Sequence, residues 1–93
     1  MAWGFITEFP FPAEEYDRLD REVGPNPEGL IVHIAAKSGD GMKIIDVWES
    51  KEAYDRFEQE MLMPAMGRIG LATPDRPPPR DEFEVHNMRR GPS

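Results

Sequence analysis

An α+β fold, a four-stranded antiparallel sheet with both helices on one face, is predicted by three observations. Four short segments rich in β-branched and aromatic residues alternate with two stretches of helical periodicity, in the order βαββαβ. The 93 residues make a single domain, 1–93, near the small end of what forms a core unaided. The third segment, "KIIDVWES", reads as a strand apolar enough to need cover on both faces.

Each element follows in turn. Residues 2–9, "AWGFITEF", form the first strand, and "PFP" stops it. Pro12 suits the first turn of a helix. From Ala13 to Val23, Tyr16, Leu19 and Val23 recur at i, i+3 and i+7 among acids and arginines, an amphipathic helix that "GPNPEG" ends. Residues 29–37, "GLIVHIAAK", form the second strand, and "SGDG" turns the chain into the third, "MKIIDVWES". Ser50 is the expected N-cap of a second helix, with Tyr54, Phe57 and Met61 on one face. Pro64 is expected to kink or restart it near Met63. Residues 72–80, "ATPDRPPPR", make an extended connection, and the last strand, "EFEVHN", runs over about 82–87. Two such halves give the ferredoxin-like arrangement, with the first and third strands central.

Composition narrows the function classes. No cysteine is present, which removes disulfides, thiolate metal sites and cysteine nucleophiles. A net charge of −7, with Arg89-Arg90 the one basic cluster, argues against nucleic acid as a partner. No apolar run reaches the roughly 20 residues of a membrane span, so no membrane partner and a cytoplasmic location are expected. The two histidines have no short metal-ligand spacing, and no segment matches a phosphate-binding loop, so neither metal nor cofactor is expected.

Alternation sorts the hairpin of the second and third strands. One face carries Leu30, Val32 and Ile34 with Ile45 and Val47. The other carries Ile31, His33 and Ala35 with Ile44, Asp46 and Trp48. Two helices cover one face only, so the second face needs another occupant, and a second copy of the chain is the simplest: a homodimer through the sheet. Either a two- or a four-residue turn at "SGDG" sets Lys37 opposite Met42, hence His33 opposite Asp46 and Ile31 opposite Trp48.

A cross-strand imidazole–carboxylate pair has two readings. It is a buried structural hydrogen bond, or Asp46 orients His33 and raises its basicity so that it can accept a proton. Trp48 is core or pocket wall; Tyr16 and Tyr54, on the inward helix faces, reach any cavity between helices and sheet, as do Met61, Met63 and Met66. Asn87 alternates with Phe83 and Val85, where a lone amide needs partners. His86 alternates with Glu82 and Glu84 and faces solvent or the dimer partner.

The segments "IIDVWESKEAYDRF" and "FEVHN" resemble the dimeric α/β-barrel superfamily. The likeness covers nearly all of the chain and is nearest to small actinobacterial-type members related to antibiotic biosynthesis monooxygenases. It implies two sheets packed face to face as a dimeric α/β barrel, with ligands held between sheet and helices. Relatives include cofactor-free quinone-forming monooxygenases, polyketide cyclases and haem-degrading oxygenases. Trp48 matches the tryptophan of the haem-degrading members, but the helix region Tyr54 to Met61 has no histidine and the first strand no asparagine, so haem degradation does not carry over. His33, His86 and Tyr16 are of the types cyclases use as acid and base.

Together these readings predict a cofactor-independent monooxygenase or cyclase acting on a hydrophobic aromatic or polyketide-like small molecule. His33 is the expected base and Asp46 its orienter. Trp48, Tyr16, Tyr54, His86 and Asn87 are the expected substrate contacts, Asn87 donating to a substrate oxygen. The alternative is a non-catalytic dimeric module that binds a small ligand or assembles with a partner. A pocket above roughly 300 Å³ favours the enzyme, and a packed His33–Asp46 pair with no adjacent cavity favours the module.

Overall fold

A computed structural model describes residues 1–71 and 78–92. The sheet has four strands, β1 (Trp3–Phe9), β2 (Leu30–Ser38), β3 (Gly41–Trp48) and β4 (Asp81–Glu84), in the antiparallel order β2-β3-β1-β4. The first and third strands are central, as the ferredoxin-like arrangement requires. Helix α1 (Ala13–Val23) matches its predicted span. The second helical stretch has three parts, α2 (Lys51–Phe57), a π-helical turn (Glu58–Leu62) and α3 (Met63–Arg68).

The sequence explains these parts. Ser50 caps α2 by accepting the Ala53 N–H at 3.1 Å. Pro64 has no N–H to give and its ring crowds the carbonyl four residues back. The chain accommodates it with the wide turn just ahead, where the Met63 N–H reaches the Glu58 carbonyl five residues earlier, and α3 restarts at Met63. The wide turn also rotates the apolar stripe. Leu62, five residues after Phe57, takes the inward place beside the cavity that regular periodicity gives to Met61. Met66 is inward too, whereas Met63 is 52% exposed.

The β2–β3 hairpin turns through Gly39 and Asp40, with Ser38 opposite Gly41 and Lys37 opposite Met42. Gly39 has φ 58°, a left-handed value that glycine adopts without steric cost. The predicted register holds as far as Val32. There the ladder shifts, so that Leu30, not Ile31, stands opposite Trp48. Ile31 is the extra residue of a β-bulge, and Leu30 thereby joins the helix-covered face, packing against the core of Trp3, Phe5, Trp48 and Tyr54.

The last strand ends at Glu84, short of the predicted Asn87. Its partner runs out: Glu84 pairs with Trp3, the first residue of β1, and one further bond, from Val85 N–H to the Ala2 carbonyl, closes the ladder. At the other register position Gly4 faces Phe83. A Cβ at Gly4 would lie 2.5 Å from the Asp46 carbonyl oxygen and 2.7 Å from the Phe83 ring, so this close approach needs glycine. Of the predicted 72–80 connection, residues 72–77 lie outside the described residues; 78–80 have no regular structure.

The helices cover one face of the sheet. The other presents Ile6, Val32, Ile34, Ile45, Val47 and Phe83, related by direct pairing and alternation. Ile34 is 47% exposed. No helix among the described residues is long and apolar enough to cross a membrane.

Candidate functional site

Four side chains from three elements form one hydrogen-bonded chain. The two-residue hairpin turn sets His33 on β2 directly opposite Asp46 on β3, and His33 Nδ1 meets Asp46 Oδ1 at 2.6 Å. Trp48, two residues on and hence on the same face, donates its indole N–H to Asp46 Oδ2 at 3.0 Å. Both oxygens of this buried carboxylate are thus engaged, which is how a charge is tolerated in a core. From α1, the Tyr16 hydroxyl lies 2.7 Å from His33 Nε2, its ring nearly parallel to the imidazole at 10° with centroids 6.0 Å apart.

Electrostatics follow from that arrangement. The His33 pKa is raised, first by the hydrogen bond to Asp46, which together with the charges of Asp46 and Asp20 outweighs burial. Tyr16 is also raised, mainly by burial and then by Asp20, Asp46 and Asp17, so it remains a phenol. The bond between Tyr16 and His33 therefore reverses with pH. A neutral imidazole with Nδ1–H on Asp46 accepts the Tyr16 proton, whereas an imidazolium donates Nε2–H to the hydroxyl oxygen.

Tyr16, His33, Asp46, Trp48 and Tyr54 all border a cavity of about 220 Å³ between the sheet and the helices. Its remaining wall is mostly apolar, with Phe5 and Phe9 from β1 and Phe57 and Leu62 from the second helical stretch. Tyr54 is buried and donates its hydroxyl to Glu58 Oε2 at 3.0 Å, and burial foremost pushes its pKa up. Glu8 and Asp20, both exposed, stand at the rim. Among the described residues no group of three His, Asp or Glu side chains is placed to hold a metal ion.

His86 and Asn87 are not brought to this place. Both lie past the end of β4, are exposed and do not line the cavity. Alternation ceases to orient side chains once the ladder ends, which is why the sequence pattern misassigned Asn87 to an inward face. Phe5, Thr7 and Phe9 carry no functional signature in the sequence, yet their period of two places them on the cavity side. The contact of Tyr16 with His33 had no local signal, since it joins residues 17 apart across a helix and a strand.

No protein-family profile matches the sequence, and no curated protein sequence matches it. Solved structures do match. A Chloroflexus aurantiacus protein provisionally assigned as an antibiotic biosynthesis monooxygenase superposes with a TM-score of 0.65, covering 98% of this chain and 100% of its own at 20% identity. Rv0793 from Mycobacterium tuberculosis gives 0.68, covering 97% and 100% at 15% identity. A point variant of SnoaB, a cofactor-independent oxygenase from Streptomyces nogalater, gives 0.60, covering 94% and 95% at 15% identity. The chain therefore has the α+β, ferredoxin-like fold of antibiotic biosynthesis monooxygenase-like proteins. At these identities the likeness is one of fold.

Proposed function

We propose that the protein is a homodimeric, cofactor-independent enzyme of the monooxygenase or cyclase kind, acting on a small hydrophobic aromatic molecule. One observation carries this reading: a mostly apolar cavity into which a hydrogen-bonded Tyr16–His33–Asp46 chain projects. His33 is the proton sink, Asp46 fixes its tautomer and raises its basicity, and Trp48 and Tyr54 form the wall. Removing a phenolic proton gives an electron-rich anion that reacts with dioxygen or closes a ring. The SnoaB likeness makes oxygen chemistry without a cofactor the first activity to test. The apolar open sheet face, with Ile34 half exposed, supports a second copy as its cover.

A second reading has its own support. At about 220 Å³ the cavity is below the roughly 300 Å³ at which typical ligand pockets begin, which favours a binding module over turnover. An apolar cavity of about 150 Å³ accepts benzene, so a volume of about 220 Å³ suits one- and two-ring molecules.

1-Naphthol separates the two. Its oxidation consumes one dioxygen and yields 1,4-naphthoquinone and one water, so oxygen uptake must match quinone absorbance. The monooxygenase form of the enzyme reading expects both, and a loss of roughly 100-fold or more in His33→Gln. Binding with neither oxygen uptake nor any change in the ligand, across a panel of one- and two-ring phenols, supports the module. Absence of binding overturns both.

A further inference from the structure

His33 has two ring nitrogens, and both are taken. Nδ1 is on Asp46 Oδ1 at 2.6 Å, and Nε2 is on the Tyr16 hydroxyl at 2.7 Å. A ligand in the cavity therefore meets no free imidazole nitrogen. The Tyr16 ring lies nearly parallel to the imidazole, at 10°, and meets Phe9 edge-on at 82°, centroids 6.2 Å apart. At the far end, Trp48 holds the second oxygen of Asp46. The hydroxyl oxygen of Tyr16 can still accept one hydrogen bond while donating its own proton to Nε2.

We propose that Tyr16, rather than His33, is the residue that meets the ligand's acidic proton, passing its own phenolic proton to His33. This rests on the reading of the cavity as a site for acid–base chemistry. In the transfer, the ligand O–H bond breaks and that proton goes to Tyr16 Oη. The original Tyr16 O–H bond breaks and its proton goes to His33 Nε2. Nδ1 keeps its proton against Asp46. The products are a ligand oxyanion, a neutral Tyr16 and an imidazolium paired with a carboxylate, with no change in total charge. The raised pKa of Tyr16, from burial and from Asp20, Asp46 and Asp17, suits a group that hands on a proton without storing the charge. Tyr16 is then a catalytic residue and Asp46 a positioning one.

The test uses 4-nitrophenol, whose ionised form absorbs in the visible, bound to the wild type, Tyr16→Phe and His33→Gln. Binding and ionisation are read separately, at a pH near the His33 transition. The relay predicts that both variants bind the probe within a few-fold of wild type, yet each holds at least about tenfold less of it ionised. Equal or greater ionisation in Tyr16→Phe, with loss in His33→Gln, overturns the relay, since removing the hydroxyl would merely have freed Nε2. A crystal structure of the wild-type complex tests it independently of either variant's folding. The probe oxygen should lie within hydrogen-bond distance of Tyr16 Oη and beyond it from Nε2; direct contact with Nε2 overturns the proposal. A probe that does not bind the wild type overturns the cavity reading and the relay with it, whereas binding with a failed relay leaves the cavity reading standing.

Discussion

Trp48 donates its indole N–H to Asp46 Oδ2 from two residues further along the same strand. The most buried large side chain among the described residues, 1% exposed, thus aims its single donor at the buried carboxylate beside it. With His33 on the other oxygen, Asp46 can neither rotate nor seek water. The fixed carboxylate then fixes the imidazole.

Trp48→Phe keeps most of the ring and removes the donor. It leaves Oδ2 buried without a partner, a defect that costs about 1–3 kcal/mol, more where the group is charged. Some packing is lost as well. Urea unfolding should show a lower midpoint with an unchanged slope. An unaltered midpoint would contradict a stabilising role for the indole N–H.

Asp46→Asn removes the charge and the strong acceptor that raise the His33 pKa. The histidine should titrate at a lower pH than in the wild type, read from its ring resonances by NMR. Stability follows the same shift. A histidine whose folded-state pKa is raised contributes fully below its unfolded value and loses that contribution as pH rises through the folded one. The variant should lose this pH dependence. A His33 titration unmoved by Asp46→Asn would contradict the assigned cause.

Ile34→Asp places a charge on the exposed apolar sheet face, away from the cavity side. Sedimentation of the wild type at micromolar concentration should give twice the chain mass. The variant should sediment as a folded monomer with its far-ultraviolet spectrum kept. Val32→Asp, at a half-buried site, should also dissociate the dimer and unfold part of it. A stable wild-type monomer would refute the dimer.

Haem should associate weakly and without histidine ligation. Both nitrogens of His33 are engaged by Asp46 and Tyr16, and His86 stands outside the cavity. A haem titration should show no histidine-ligated spectrum, and reductant should give no ring-opened product. Tight ligation, lost in His33→Gln, would show that the chain of hydrogen bonds opens to admit iron.

Much of this was written in local patterns. The α1 stripe of Tyr16, Leu19 and Val23, the Ser50 cap and the "SGDG" turn each act within a few residues, and turn length alone sets His33 against Asp46. What escaped were events at the ends of regularity. A bulge at Ile31 exchanged it with Leu30, a π-helical turn exchanged Met61 with Leu62, and β4 stopped when β1 ran out of partners. Periodicity assumes a constant phase, and each of these breaks it. The Tyr16–His33 contact depends on how a helix settles on a sheet, which no single segment records.

The bulge at Ile31 also divides β2 into two parts with separate obligations. Beyond it, from Val32 to Ser38, the strand is locked in phase with β3, and a one-residue slip would turn His33 away from Asp46. Before it, Gly24 to Pro27 border the cavity, and the chain returns to β3 in a register one residue out of step, with Leu30 opposite Trp48 and the Gly29 carbonyl accepting the Glu49 N–H at 2.8 Å. The His33–Asp46 register is set from the hairpin turn, on the far side of the bulge from "GPNPEG". A change of length in the 24–27 border of the cavity should therefore leave the pairing of His33 with Asp46 in place.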